Sequence, residues 1–248
     1  MYRSIHYNKE AIKKREGFMQ IYGLQKLTLL DYPGKVACTV FTGGCNFCCP
    51  FCHNASLVTH IEPAAVMEDE QFFAFLQKRQ GVLDGVCVSG GEPLLQKEIT
   101  AFIEKIKALG YLVKLDSNGS FPQKLKELVN AGLVDYVAMD IKNSPEHYSL
   151  TCGVAVSLED IKTSVEFLKQ KKVPYEFRTT VVKELHDEAD FISIGQWLQG
   201  DSPYYLQNFV DSGDVIAEGK FSAYDKSQLE EFARSLRATM PNVHLRGI

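Results

Sequence analysis

Four of the seven cysteines lie within eight residues, in the run T-G-G-C-N-F-C-C-P-F-C-H-N over residues 42–54. Thiolates are nucleophiles and soft metal ligands, so so dense a group calls for a chemical reading. A structural zinc site draws on two C-x2-C pairs separated by a long loop. Here the pairs Cys45/Cys48 and Cys49/Cys52 are contiguous, and one tetrahedral ion would strain the backbone to use all four. A ferredoxin run needs C-x2-C-x2-C, and its third position is Phe51. Cys49-Pro-Phe-Cys52 is a C-x-x-C dithiol behind a strand, but it leaves Cys45 unexplained. The remaining parse is Cys45, Cys49 and Cys52, C-x3-C-x2-C with aromatic Phe51 before the last thiol. Three thiolates on one loop hold three corners of a 4Fe–4S cube and leave the fourth iron open to a substrate. From spacing alone the zinc, dithiol and cluster readings stand side by side.

Further polar groups recur along the chain. Ser89-Gly90-Gly91-Glu92-Pro93 combines backbone that can approach a ligand closely with a carboxylate. Its plain reading is a tight turn with an acid at a helix N-terminus. Lys114-Leu115-Asp116-Ser117-Asn118-Gly119 reads equally well as an Asn-Gly turn. Asp140 and Lys142 form a D-x-K element whose plain reading is a surface ion pair. Arg178 sits inside the apolar run FRTTVV, where burial without an anionic partner is costly. His186 reads as a solvated loop histidine, Cys38, Cys87 and Cys152 as small buried apolar residues, and Trp197 as helix packing.

Short apolar runs, rich in β-branched and aromatic residues, separate these motifs: 36–41, 85–89, 111–116, 136–141, 175–182 and 204–210. Such runs fit strands buried on both faces. Between them, Ile99, Phe102, Ile103, Ile106 and Leu109 form one helical stripe. Ser157 with Asp160 reads as a helix start before Ile161, Val165 and Leu168, and Gly110 and Gly132 as helix stops. Six strand–helix units predict an α/β fold: a parallel sheet with outer helices, as a partial barrel or an open doubly wound sheet. Either way, the site belongs at the C-terminal ends of the strands, where the motifs fall.

The 248 residues carry 27 basic and 31 acidic side chains, a net charge of −4, with 45% hydrophobic and 23% charged residues. That balance argues against a general nucleic-acid grip, which needs a basic field. No run approaches a membrane span, and the polar, basic start MYRSIHYNKEAIKKREG has no apolar signal region, so the expected place is the cytosol. Residues 1–18 are expected to be a loosely held extension, with Met19 as an alternative start and 19–248 as a single domain.

At LLDYPGKVACTVFTGGCNFCCPFCHN, residues 29–54, the chain resembles the radical S-adenosylmethionine (SAM) superfamily, and within it the glycyl-radical-enzyme activating proteins. With the terminal VHLRGI, the likeness is greatest to the longer type of anaerobic ribonucleoside-triphosphate reductase activating protein, and it runs from about Met19 to Ile248. The resemblance implies a partial (β/α)6 barrel of parallel strands with outer helices, open on one side. It implies a 4Fe–4S cluster on Cys45, Cys49 and Cys52, with SAM chelating the free iron. It places Phe51, His53, Gly90, Gly91, Glu92, Asp116, Ser117, Asn118, Asp140, Lys142, Arg178 and His186 around the cofactor. Glu92 would receive the SAM ammonium by its acid or backbone, Lys142 and Arg178 the SAM carboxylate, Asp140 a hydroxyl or a monovalent cation, and His186 the adenine side.

The implied activity is reductive cleavage of SAM to a 5′-deoxyadenosyl radical, which takes hydrogen from a glycine of a partner enzyme. Anaerobic ribonucleoside-triphosphate reductase is the expected partner, and a flavodoxin- or ferredoxin-type protein the expected electron donor. The alternatives are activation of pyruvate formate-lyase or another glycyl radical enzyme, a small-molecule radical SAM reaction and, from different classes, a C-x-x-C dithiol redox protein or a zinc-binding interaction module. In the sixth strand Gln207 and Asn208 stand where pyruvate formate-lyase activators carry a histidine, which disfavours the first of these. Cys48 is an additional thiol without an assigned role.

Overall fold

Runs that alternate between apolar and polar side chains at strand spacing have two distinct faces, and this sheet uses both. The computed structural model describes residues 18–59, 61 and 67–247. The expected extension over residues 1–18 lies, apart from Phe18, outside the described residues. Among the described residues, nine strands form one sheet: β1 (Gln20–Thr28), β2 (Ala37–Thr42), β3 (Met67–Glu68), β4 (Gly85–Gly90), β5 (Leu112–Ser117), β6 (Tyr136–Asp140), β7 (Tyr175–Val181), β8 (Tyr204–Asn208) and β9 (Val243–Arg246). Their order is β3-β1-β2-β4-β5-β6-β7-β8-β9, so among these β3 and β9 are the edges and the sheet does not close.

All six expected strands are present and mutually parallel, each within a residue or two of its expected bounds. The parallel part is nevertheless seven strands, because β9 adds to β8 in parallel. Two antiparallel strands, β1 and β3, extend the opposite edge. Sequence reasoning missed these three for physical reasons. β1 is broken by register shifts on either side of Gly23–Gln25, which spoils its alternation. β3 has two residues, and β9 has four, only one of them buried.

Outward-facing Cys38, Val40, Val86, Val88, Val113, Leu115, Val137 and Phe177 are fully buried in one apolar core beneath the helices. The predicted stripe forms one helix, α1 (Ile99–Ala108), and Gly110 follows it at φ +87°. Ser157 caps another, α2 (Leu158–Leu168), its hydroxyl accepting from the Asp160 N–H. Trp197, on the α3 helix (Glu188–Leu198), meets the ring of Tyr148 edge-on at 6.1 Å, as helix packing. The inward face of the same strands is polar: Lys114 and Asp116 on β5, Glu176 and Arg178 on β7. A nonpolar exterior and a polar interior on one set of strands direct the chemistry inward. Among the described residues, no helix is long and apolar enough to cross a membrane.

Candidate functional site

A cavity of about 440 Å³ opens at the C-terminal ends of the parallel strands. Cys45, Cys49 and Cys52 all line it, from the loop that follows β2. Cys48 does not: its backbone N–H donates instead to the Cys152 carbonyl at 3.0 Å. Cys152 is buried as expected, but its thiol also hydrogen-bonds that of Cys49.

The Cys45 thiol has donors suited to sulfur. The Phe47 N–H donates to Cys45 Sγ at 3.4 Å, and Asn118 Nδ2 to the same atom at 3.8 Å. Burial pushes the Cys45 thiol up to about 12, and it raises Cys52. The hydrogen bond to Cys152, followed by burial, holds Cys49 well above the ordinary thiol range. The Lys142 ammonium opposes all three shifts and is the cation that offsets thiolate charge here. Three soft ligands on one wall, with N–H donors to sulfur and an adjacent ammonium, fit an iron–sulfur cluster. Among the described residues, no three His, Cys, Asp or Glu side chains are grouped to hold a single metal ion.

The Gly90–Glu92 turn lies against the cysteine loop. The Glu92 N–H donates to the Gly44 carbonyl at 2.8 Å, and the Gly91 N–H to the Thr42 carbonyl at 2.9 Å. A Cβ on Gly91 would stand 2.0 Å from the Gly44 oxygen. Gly90 sits at φ +119°, with an added Cβ 2.3 Å from backbone atoms of Thr42. Gly90 and Gly91 line the cavity, whereas Glu92 is 0% exposed and turned to protein donors. Its Oε1 accepts from the Leu94 N–H and the Ser117 hydroxyl, both at 3.0 Å, and its Oε2 from the Asn118 N–H at 2.7 Å. Burial dominates and lifts its pKa to about 7.

Asp116, Asp140, Lys142 and Arg178 converge on the cavity as alternating charges, rather than forming a surface ion pair. Arg178 reaches Asp140 at 3.0 Å and Asp116 at 3.5 Å. Lys142 reaches Asp140 at 2.9 Å. Lys114, only 1% exposed, backs Asp116. Burial works to raise both carboxyls, but Lys142 and Arg178 outweigh it at Asp140, and Arg178 and Lys114 at Asp116. Both therefore stay ionised. Arg178 thus has the anionic partners that its apolar run demanded.

Phe51, His53, Ser117 and Asn118 also line the cavity, and His53 stacks on Phe209 at 5.3 Å. His186 is absent from this lining, and it is not a solvated loop residue, being 2% exposed. Its Nδ1 accepts from the Val182 N–H at 3.1 Å and its Nε2 donates to the Lys142 carbonyl at 2.8 Å, so no ring nitrogen faces a ligand. The cavity also includes Ser89, Thr180, Gln207, Asn208 and Arg246, which the sequence reading placed in no role. Thr180 was within reach, since it lies two residues beyond Arg178 and shares its inward face. Arg246 lies on β9, which carried no strand signal.

The family model of the Radical SAM superfamily matches residues 39–193. A Methanocaldococcus jannaschii protein, provisionally described as a glycyl-radical enzyme activating enzyme, is 32% identical over 235 residues, 92% of this chain and 96% of its own. The pyruvate formate-lyase-activating enzyme of Listeria monocytogenes is 27% identical over 194 residues, 73% of this chain and 76% of its own. Among solved structures, Streptococcus suis SuiB bound to precursor peptide SuiA matches with a TM-score of 0.65 at 13% identity. That match covers 84% of this chain and 48% of SuiB, and it is a likeness of fold.

Proposed function

We propose that this chain, which belongs to the radical SAM superfamily, is the activase of a glycyl radical enzyme, and that its partner is anaerobic ribonucleoside-triphosphate reductase. The observation that carries the reading is one cavity shared by the Cys45, Cys49 and Cys52 thiols and by the Asp116–Arg178–Asp140–Lys142 wall. The family implies a 4Fe–4S cluster and SAM. The activase reading draws further support from the Methanocaldococcus jannaschii relative, which matches over nearly its whole length. The choice of reductase rests on the residue likeness at 29–54 and in VHLRGI.

Cys45, Cys49 and Cys52 would hold the cluster, which would supply there the single electron needed to break the S–C5′ bond of SAM, on delivery from a flavodoxin- or ferredoxin-type donor. The chain's own groups do the rest. Lys142 balances the charge of the thiolates. Arg178 and Lys142 meet the SAM carboxylate, while Asp116 and Asp140 hold both cations at the wall. The Gly90–Gly91 backbone lies along the methionine portion, with Phe51 and His53 closing the cavity beside Cys52. Ser117 and Asn118 present polar groups to the ribose. Burial keeps water from the reacting atoms, as radical chemistry requires.

Two roles differ from expectation, and a third is narrowed. Of the two modes expected of Glu92, acid or backbone, the backbone is favoured, together with its hold on Ser117 and Asn118, because the buried carboxylate already accepts three hydrogen bonds from protein. His186 positions the Lys142 carbonyl instead of touching adenine. A monovalent cation at Asp140 drops out of the reading, because Lys142 and Arg178 already take its two oxygens. Activation of pyruvate formate-lyase is the second reading, favoured by the Listeria relative. Cytosolic placement accompanies either one.

The test is anaerobic reconstitution with iron and sulfide, followed by dithionite and SAM. Wild type should yield 5′-deoxyadenosine and, with the reductase added, a glycyl radical signal. Cys45→Ala, Cys49→Ala and Cys52→Ala should each lose the cluster and the product, and Cys48→Ala should keep both. Transfer to pyruvate formate-lyase alone would select the second reading. A Cys45→Ala protein with full dithiol activity and no cluster in wild type would overturn both.

A further inference from the structure

Cys52 is the last of the three thiols on its loop, and both of its flanks are held by a segment from far along the chain. Residues 209–223, which follow β8, form neither helix nor strand. So long an irregular segment is uncommon inside a compact fold unless it has a task. Its neck is closed: Asn208 Nδ2 donates to the Tyr224 carbonyl at 2.8 Å, and the Tyr224 N–H to Asn208 Oδ1 at 3.2 Å. Phe209 and Val215 are buried in the core, and Phe221 meets the Phe209 ring edge-on at 6.4 Å. The segment is thus an Ω-loop, with a fixed neck and apolar side chains of its own turned inward.

This loop touches the cysteine loop on both sides of Cys52. Before it, the Ala217 N–H donates to the Pro50 carbonyl at 2.9 Å. Beside it, Phe209 stacks on His53 at 5.3 Å. After it, the Ala55 N–H donates to the Asp214 carbonyl at 3.2 Å. The Asp214 carboxylate accepts from the Ser56 N–H at 3.0 Å and from the Ser56 hydroxyl at 2.7 Å. Ala55–Val58 is a single helical turn, and Asn54 at its N-cap makes no side-chain cap bond. The opening N–H groups of a helix need acceptors. Asp214 supplies them, its carbonyl for Ala55 and its carboxylate for Ser56. One turn has no stability of its own, so Asp214 fixes where the chain runs immediately after Cys52.

Resting on the cluster reading given above, we infer that Asp214 is a positioning residue for the cluster, holding the limb of the loop that carries Cys52 in place beside Cys45 and Cys49. Each thiol then has its own brace: the Gly90–Glu92 turn beside Cys45, the Cys152 carbonyl beside Cys49, and Asp214 beside Cys52. Asp214 is not among the residues that line the cavity, and it acts through Ala55 and Ser56. Loosening this limb raises the entropy that Cys52 gives up each time it binds iron. The cost therefore falls on retention of the cluster more than on the fold.

The test uses the full chain, reconstituted anaerobically with iron and sulfide. An excess of a colorimetric iron chelator reads the rate of iron release, and hydrogen exchange reads the amides of Ala55 and Ser56. Asp214→Ala should release iron about tenfold faster, the scale of one lost charge-assisted hydrogen bond, and both amides should exchange faster. Asp214→Asn keeps an acceptor and should recover most of the difference. Ser56→Ala added to Asp214→Ala should change nothing further, because its partner is already gone. Asp225 serves as the control. It caps the helix Lys226–Leu236, its carboxylate accepting from the Gln228 N–H at 2.9 Å. Asp225→Ala removes a cap of the same kind outside the cysteine loop and should release iron at the wild-type rate. Wild-type release from Asp214→Ala overturns the inference. Equally fast release from Asp225→Ala also overturns it, because it marks a general loosening of the fold. A wild type that takes up no iron and sulfide overturns the cluster reading itself, and this inference with it.

Discussion

The backbone N–H of Asn118 donates to Oε2 of Glu92 at 2.7 Å, joining the loop after β5 to the turn after β4. A fully buried carboxylate thereby sets the position of Ser117 and Asn118, two cavity residues. Glu92 has an ordinary value of 4.5 and a folded value of about 7. The folded state therefore binds the extra proton over that window. The stability from this group is complete below about pH 4.5 and is lost as pH rises through 7, a change of about 3 kcal/mol. Unfolding curves of wild type and Glu92→Gln across this range should give a difference that slopes downward with pH. A flat difference would show that Glu92 does not titrate there.

Arg178 neutralises Asp116 and Asp140 together, at 3.5 and 3.0 Å. Arg178→Met should leave two carboxylates crowded at the wall and cost about 3 kcal/mol, a Tm drop of roughly 10 °C. Arg178→Lys should recover part of the stability but less of the SAM affinity, because a point charge cannot reach both carboxylates in the same fork geometry. Thermal melts and SAM titration of the two variants check this.

The contact of Gly91 with the Gly44 carbonyl leaves no room for a methyl group, at 2.0 Å. Because both partners are backbone, relief requires the cysteine loop itself to move. Gly91→Ala should destabilise by about 3 kcal/mol and lower the iron bound per chain, even though no ligand is altered. Iron and sulfide content of the purified variant is the direct measurement. Full occupancy would show that the two loops tolerate separation.

Burial holds the pKa of His186 below its ordinary 6.5. A folded value below the unfolded one gives stability that is complete above about pH 6.5 and lost as pH falls through the folded value. His186→Phe keeps a ring against Phe191, 5.9 Å away, and removes both ring nitrogens. It should lower stability by about 2 kcal/mol at neutral pH, from the unpaired Lys142 carbonyl and Val182 N–H. It should also abolish the acid-side loss below pH 6.5, as denaturant titrations at several pH values would show.

Whatever depends on neighbours in the chain was legible in the residues themselves. Cys45, Cys49 and Cys52 sit on one short loop, so their spacing alone brings three thiols to one place. The α1 stripe, the Ser157 cap and the stop at Gly110 are likewise local, set by helical period and backbone sterics. The parallel strands announced themselves as short apolar runs, and the rule that sites lie at strand C-termini located the cavity before its shape was known.

Tertiary structure decided whatever depends on which distant groups meet. Nothing in the residues around His186 distinguishes a wet histidine from one sealed by Val182, Lys142 and Phe191, because those partners come from the loop after β6 and from α3 as well as from its own loop. Glu92 could have faced a ligand, and it was the arrival of Ser117 and Asn118 from the next strand that claimed its oxygens. Short or bulged strands escape pattern reading because their stability comes from ladder hydrogen bonds to a neighbour, not from their own alternation; β9 and β1 are of this kind. Arg246 reaches the cavity only through that pairing. The chain's order of residues thus determined the clustered thiols and the sheet, whereas the Thr180–Gln207–Arg246 side of the cavity exists only because three strands came to lie side by side.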